Sequence, residues 1–215
     1  MNLHVFDMDG TLLKGTSASL QIARHLGCDE ELAGLEARFA AGEIDTRGFA
    51  AAIHDLWGSL TGPTVAEVFA ACPWLDGIAE VCADIRKRRE RSVVITMSPD
   101  FFARHLLELG FDEVVAARFP ALPFTEPLDP GGILTPEDKV RVVDELRARH
   151  GLPRFRCVAY GDSMSDAPLF RRLDNTVAVN ADHHLAGLAA VSYRGDDLGG
   201  AYALGRDLLA TPLRA

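Results

Sequence analysis

The feature that most constrains the fold is an apolar stretch near the amino terminus that ends in two carboxylates and a glycine. Residues 3–12 read LHVFDMDGTL. The aromatic and β-branched residues before Asp7 are typical of a buried strand, and Gly10 can adopt the positive φ that a turn requires. Asp7 and Asp9 would then lie at the carboxyl end of a strand, where open α/β sheets bind ligands. The same residues also suit an ordinary Asp-Gly turn in which Asp7 caps the next helix.

A second strand followed by acids occurs much later in the chain. Residues 158–166 read VAYGDSMSD. If both strands belong to one parallel sheet, Asp162 and Asp166 lie at the same edge as the first two acids. Carboxylates that pack together repel one another, and a divalent cation is the usual compensation. The two stretches together favour a metal or catalytic site over a simple turn.

With both motifs in view, the sequence resembles the haloacid dehalogenase-like phosphatase superfamily. Its members have Asp-x-Asp-Gly-Thr near the first strand and Gly-Asp-x-x-x-Asp near the fourth, and residues 7–11 and 161–166 supply these in that order. The family pattern also requires a Ser or Thr that ends the second strand and a Lys before the fourth, which Ser98 and Lys139 provide. The likeness covers nearly the whole chain outside residues 14–76. It is greatest to the phosphoserine phosphatase-like branch, which has a small helical (C1-type) cap.

The resemblance implies a catalytic role for each acid of the two motifs. Asp7 is the implied nucleophile, which forms an aspartyl-phosphate, and Asp9 is the implied general acid and base. The implied cofactor is Mg²⁺, which prefers oxygen ligands. Its implied ligands are Asp7, the backbone carbonyl of Asp9, Asp162, and Asp166 either directly or through a water molecule.

The resemblance also implies contacts to the phosphate and the substrate. Ser98 would donate its hydroxyl to a phosphoryl oxygen, although Thr96 remains an alternative because the end of the strand is uncertain by a residue or two. Lys139 is one of only three lysines in the chain. Its compact ammonium suits a contact with both the phosphate and the nucleophile, although a solvated residue in the first turn of a helix is the alternative. Ser165 is a candidate for substrate contact.

Residues 14–76 have helical patterns without intervening strands. Ser17 or Thr16 is a candidate N-cap for the first helix, and residues 46–57 form another candidate helix that stops at Gly58. The sequence therefore predicts a helical cap at residues 14–76. It predicts a catalytic core formed by residues 1–13 and 77–215.

The core has the alternation of strands and helices that is typical of an α/β fold. Residues 92–97 are predicted to form the second strand, with Ser98 in the loop after it, and residues 191–194 form a possible edge strand. The irregular residues 119–136 could hold a short hairpin. The sequence thus predicts a Rossmann-like parallel sheet with helices on both faces, plus the inserted cap.

Substrate selection is expected to depend on the cap, because small caps in this superfamily close over the active site. The phosphoserine phosphatase-like branch has an acid shortly after the first motif, whereas residues 14–17 here read KGTS, so an amino-acid phosphate is not favoured. Arg47, His54 and Trp57 are candidate substrate contacts. The alternative for all three is a role in the surface or the packing of the cap.

Charge and cysteine usage restrict the class of partner and the compartment. The chain has 22 Lys and Arg against 31 Asp and Glu, a net charge of −9, which opposes general affinity for nucleic acid or an anionic membrane. A small-molecule partner is expected. The four cysteines lack the spacing of a zinc site or a disulfide scaffold, so reduced thiols are expected. With no signal or membrane segment recognised, a cytoplasmic location is expected.

The resemblance implies a Mg²⁺-dependent phosphomonoesterase, and the charge of the chain is consistent with a small phosphorylated metabolite as its substrate. A phosphomutase or phosphotransferase that uses the same intermediate is the first alternative. A non-catalytic phospho-receiver or binding module is a second, although it has no use for the acids at residues 161–166. The sequence leaves the substrate, the pathway and the oligomeric state open.

Overall fold

A parallel six-stranded sheet forms the centre of the protein in a computed structural model that describes residues 1–210. The order of the strands across the sheet is β3-β2-β1-β4-β5-β6. In chain order, β1 to β6 span Leu3–Phe6, Arg91–Pro99, Glu113–Ala117, Cys157–Gly161, Asn175–Val179 and Val191–Tyr193. The predicted Rossmann-like α/β fold is confirmed.

Helices cover both faces of this sheet. In chain order, α1 to α9 span Ala18–Leu26, Asp29–Ala40, Thr46–Leu56, Gly62–Ala71, Ile78–Lys87, Asp100–Ala103, Pro136–His150, Ala167–Arg172 and Leu198–Ala210. Helices α5 and α9 bury residues such as Val81 and Leu198 against one face, whereas α7 and α8 bury Val143 and Leu169 against the other. Within residues 1–210, no helix combines the length and the apolar character needed to cross a bilayer.

The central strands are buried on both faces, because their side chains alternate between the two layers of helices. Phe6 of β1 and Tyr160 of β4 point to the same layer and stack with ring centroids 4.4 Å apart. Val5 and Ala159, one residue earlier in each strand, belong to the opposite layer. The register pairs Phe6 with Tyr160, so β1 and β4 end side by side.

Four helices, α1 to α4, follow β1 without an intervening strand. Ser17 caps α1 by accepting a hydrogen bond from the backbone N–H of Leu20 at 3.2 Å, and Gly27 ends the helix with a φ of 71°. The apolar residues of the four helices join the core layer that contains Phe6. The helices predicted in this region are confirmed, and the division into cap and core at residues 14 and 76 stays a prediction.

Two local expectations for the core differ from the structure. Strand β2 extends to Pro99, so Ser98 lies inside the strand and not in the loop after it. No strand forms among residues 119–135, where the sequence left room for a hairpin. These residues form a loop with a 3₁₀ turn at Pro130–Gly132, and we call them the 119–135 loop.

Candidate active site

The two acidic motifs meet at the point where the order of the strands reverses. Chain connections run in opposite directions from β1 and β4, which leaves a crevice at their carboxyl ends. Asp7 directly follows β1 and donates its N–H to the carbonyl of Tyr160 at 2.9 Å, while Asp162 directly follows β4. Gly10 turns the chain with a φ of 77°, and a Cβ there would overlap the Asp162 carboxylate. The glycine therefore permits both the turn and the close approach of the second motif.

Three of the predicted metal ligands form one cluster. Each of Asp7, Asp162 and Asp166 places a carboxylate oxygen within 4.8 Å of the others. The Lys139 ammonium lies against this cluster and donates to Asp7 Oδ1 at 2.6 Å and to Asp166 Oδ1 at 2.7 Å. It also donates to Ser165 Oγ at 3.2 Å. Lys139 is only 1% exposed, so the alternative of a solvated surface lysine is wrong.

The cluster holds more negative charge than Lys139 compensates. Burial raises the pKa of Asp7 well above its usual range, although Lys139 acts in the opposite direction. Burial and the neighbouring Asp166 raise the pKa of Asp162 to about 7. Burial alone would lower the pKa of Lys139, but the carboxylates of Asp166 and Asp7 outweigh it and the net pKa is raised. An all-oxygen group of crowded carboxylates fits a hard divalent cation such as Mg²⁺.

Asp9 has an environment separate from this cluster. Its Oδ1 accepts a hydrogen bond from the backbone N–H of Ala18, the first residue of α1, at 2.7 Å. Its Oδ2 accepts from Ser98 Oγ at 2.7 Å and from Thr96 Oγ1 at 3.3 Å. Burial raises the pKa of Asp9 even though these donors act in the opposite direction. The carboxylate of Asp9 is therefore held by the end of β2 and the start of α1.

Thr11 contributes a contact that sequence reasoning missed. Its side chain is fully buried, and its Oγ1 donates to Asp7 Oδ2 at 3.2 Å. Lys139 contacts the other oxygen of the same carboxylate, so both oxygens of Asp7 have a fixed donor. The signal was available, because Thr11 is the last residue of the motif that contains Asp7 and Asp9.

A cavity of about 220 Å³ lies on the Asp9 side of the site, between the helices that follow β1 and the end of β2. We call it the cap cavity. Asp9 and Ser98 form its floor, and Phe119 and Ile133 of the 119–135 loop form one side. Helices α1 to α3 and the N-cap of α1 contribute lining residues that were not predicted as substrate contacts: Ser17, Ser19, Glu36, Phe39, Thr46, Phe49, Ala50 and Ile53.

The structure does not bring Arg47, His54 or Trp57 to this cavity. Trp57 is fully buried in the apolar core, so its prediction as a substrate contact is wrong. Arg47 Nε donates to the carbonyl of Pro130 at 3.1 Å, and His54 Nε2 lies 3.1 Å from the carbonyl of Glu126. Both side chains thus contact the 119–135 loop, and they hold α3 against it instead of facing the cavity.

A second opening, a cleft of about 340 Å³, reaches Asp7 as well as Asp9. Its lining also includes Met164, Ser165 and His184. Through this cleft a substrate could reach the Lys139 side of the site. The proposed substrate contact of Ser165 stays a prediction, although Ser165 does line the cleft.

Comparisons with known proteins agree with this geometry. A model of the haloacid dehalogenase-like hydrolase family matches residues 4–171. A phosphoserine phosphatase of Archaeoglobus fulgidus is 26% identical over 209 residues, which cover 92% of this chain and 58% of that protein. The phosphoserine phosphatase SerB1 of Mycobacterium tuberculosis is 30% identical over 206 residues, which cover 86% of this chain and 66% of that protein. The chain thus spans less than two thirds of the length of either relative.

The fold also occurs in solved structures. A structure of a substrate-bound phosphoserine phosphatase complex matches with a TM-score of 0.77. The match covers 93% of this chain and 95% of the other, at 20% sequence identity. At that identity the match shows a common fold.

Proposed function

This chain belongs to the haloacid dehalogenase-like hydrolase family, and from that membership we propose that it is a phosphatase of small phosphate monoesters. In this proposal Asp7 becomes an aspartyl-phosphate and Mg²⁺ is the cofactor. The observation that carries the proposal is that two neighbouring acids, Asp7 and Asp9, have different environments. Asp7 is fixed by Lys139 and Thr11 inside the acidic cluster, whereas Asp9 lies outside it and faces the cap cavity.

Asp7 is suited to attack phosphorus because both of its oxygens are oriented. Lys139 contacts Oδ1 and Thr11 contacts Oδ2, so the carboxylate does not rotate freely. In the first half-reaction one oxygen of Asp7 forms a bond to phosphorus while the bond to the ester oxygen breaks. Positioning of this kind accounts for much of the catalysis in phosphoryl transfer.

Asp9 is suited to move the proton in both half-reactions. Its raised pKa favours the protonated acid, which gives its proton to the departing ester oxygen. The resulting carboxylate then takes a proton from the water that hydrolyses the aspartyl-phosphate. The hydroxyl of Ser98 donates to Asp9, and on the approach of a phosphoryl group it can donate to a phosphoryl oxygen instead.

Asp7, Asp162 and Asp166 are the residues that would hold Mg²⁺, with the backbone carbonyl of Asp9 as a further proposed ligand. When bound, the ion neutralises negative charge on the phosphoryl group. Lys139 contributes a second positive charge through its contacts with Asp7 and Asp166. The acidic cluster thereby becomes able to accept a dianionic substrate that it would otherwise repel.

The test is a screen of purified protein against a panel of phosphate monoesters, with Mg²⁺ and with the divalent cations chelated. We expect release of inorganic phosphate that depends on Mg²⁺ and is lost in Asp7→Asn. The matched control is Asp174→Asn, which changes an exposed acid outside the site. Transfer of the phosphoryl group to another position on a sugar, without release of phosphate, would instead indicate a phosphomutase. Failure to act on any ester of the panel would contradict the proposal.

A further inference from the structure

The wall of the cap cavity is largely apolar. Six large hydrophobic side chains line it: Phe39, Phe49, Ile53, Met97, Phe119 and Ile133. They come from α2, α3, β2 and the 119–135 loop, so apolar surface surrounds the space in front of Asp9. A leaving group that fits here buries hydrocarbon, and burial of apolar surface favours binding.

The charged groups of this wall are all acidic. Asp9 and Glu36 are its ionisable residues, and none of the described residues that line it is Lys, Arg or His. Glu36 extends from α2 and makes no hydrogen bond or ion pair within the described part of the chain. Glu36 remains exposed to solvent, and the limited desolvation that it experiences raises its pKa. The cavity therefore offers an unpaired carboxylate and no counter-ion for an anion.

Three of the four Lys and Arg residues in the predicted cap have other partners, and the fourth, Arg24, is exposed and does not line the cavity. Lys14 forms an ion pair with Asp196, and Arg38 forms one with Glu43 at 3.6 Å. Arg47 donates to the carbonyl of Pro130. A carboxylate on the leaving group would thus lose its hydration beside two acids without gaining a cation.

We propose that this site selects phosphate monoesters of aromatic alcohols that combine an apolar ring with a cationic amine. We also propose that it rejects esters in which a carboxylate takes the place of the amine. The inference rests on the proposed phosphatase function and names the substrate class of that site. An ammonium group can pair with Glu36, and it can also pack against the faces of Phe39 and Phe49, whose centroids lie 5.6 Å apart. A substrate like phosphoserine, which carries a carboxylate, would be disfavoured.

A matched set of aryl phosphates tests this inference. The substrates are the phosphate monoesters of tyramine, 4-ethylphenol and 4-hydroxyphenylacetic acid, whose tails end in an amine, a methyl group and a carboxylate. Unsubstituted phenyl phosphate serves as the reference for the chemistry. We expect kcat/KM for the tyramine ester to exceed that of the 4-ethylphenol ester, and the carboxylate ester to be poorer than either by at least about tenfold.

Variants assign the preference to Glu36. Glu36→Gln should lower the ratio of kcat/KM between the tyramine and 4-ethylphenol esters by about tenfold, whereas Glu36→Arg should raise the relative rate of the carboxylate ester. The control is Glu31→Gln, which removes the same charge from an exposed position on α2 outside the cavity and should leave both ratios unchanged.

Each outcome bears on a different claim. Equal or faster hydrolysis of the carboxylate ester would overturn the inference while leaving the phosphatase function intact. A ratio that Glu36→Gln does not change would overturn the role of Glu36. If phenyl phosphate and all three test esters resist hydrolysis, the proposed function fails and the inference fails with it.

Discussion

Replacing Lys139 with methionine should destabilise the protein strongly, because the lysine is the cation that compensates the acidic cluster. Its ammonium lies 2.6 Å from Asp7 Oδ1 and 2.7 Å from Asp166 Oδ1. All three side chains are nearly inaccessible to solvent. Methionine has a similar length and fills the same apolar space, but it leaves two buried carboxylates without a compensating cation. Among the described residues, Asp7 then keeps only the donor Thr11, and Asp166 keeps only backbone N–H donors.

The size of the effect follows from the cost of an uncompensated buried charge. Breaking a buried ion pair by removing one partner costs about 3–5 kcal/mol. For a chain of this length, each kcal/mol lowers Tm by about 2–4 °C, so Lys139→Met should lower Tm by roughly 10 °C. Adding Asp166→Asn should restore part of the lost stability, since it removes one of the two uncompensated buried charges.

Urea unfolding, followed by circular dichroism with divalent cations chelated, measures these free energies. The cycle comprises the wild type, Lys139→Met, Asp166→Asn and the double variant, and Lys87→Met is the control because Lys87 is exposed. We expect the free energy of unfolding lost in the double variant to be smaller, by at least about 1 kcal/mol, than the sum of the losses in the two single variants. Additive losses, or a loss below about 1 kcal/mol for Lys139→Met, would refute the reasoning.

Three further outcomes are expected. Asp9→Asn should slow turnover by about 10²–10⁴-fold, as measured by steady-state kinetics with an alkyl phosphate, because the leaving oxygen loses its acid. Glu90→Gln should cost about 2 kcal/mol of stability at pH 7 in urea unfolding, because hydrogen bonds from His4 and Arg206 outweigh burial and lower the pKa of Glu90 to about 2. Arg47→Ala or His54→Ala should reduce kcat/KM for bulky esters about fivefold more than for phenyl phosphate, because α3 loses its contact with the 119–135 loop.

Each of these has an outcome that would contradict it. An Asp9→Asn variant with unchanged rates on a poor leaving group would exclude Asp9 as the acid. Because folding lowers the pKa of Glu90, its ionised carboxylate stabilises the fold at pH values above the unfolded-state pKa, which is near 4.5. This contribution disappears as the pH falls toward 2. The cost of Glu90→Gln should therefore shrink below pH 4.5, and a cost independent of pH would contradict the assignment; Glu80→Gln, at an exposed position, is the control. Equal losses on every ester would remove Arg47 and His54 from substrate selection.

The sheet and its acidic edge could be predicted because both depend on local sequence. An acid that directly follows an apolar strand must lie at the carboxyl end of that strand. This reasoning placed Asp7 and Asp162 correctly at the ends of neighbouring strands. The end of β2 could not be fixed in this way. Pro99 marks a break in the pattern, but the strand continues through Ser98, whose hydroxyl contacts Asp9 in the loop after β1.

The cap residues were chosen by chemical type, whereas their roles depend on the face of the helix. Thr46, Phe49, Ala50 and Ile53 recur at helical spacing and line one face of α3. Trp57 lies four residues after Ile53 and continues this stripe into the core. The apolar stripe was visible in the sequence, but its exposure to a cavity depends on the 119–135 loop, which is distant in the chain.

The central claim is that Asp7 carries the phosphoryl group, and chemical trapping tests it most directly. The enzyme is mixed with Mg²⁺ and an intact phosphate ester that it hydrolyses, and the reaction is quenched in acid. Reduction with borohydride then converts an aspartyl-phosphate to homoserine. Peptide mass spectrometry then locates the change. The account predicts reduction at Asp7 that requires substrate, increases in Asp9→Asn because the second half-reaction is slowed, and is absent in Asp7→Asn. Reduction at another carboxylate, or full Mg²⁺-dependent turnover by Asp7→Asn with deamidation excluded, would contradict it.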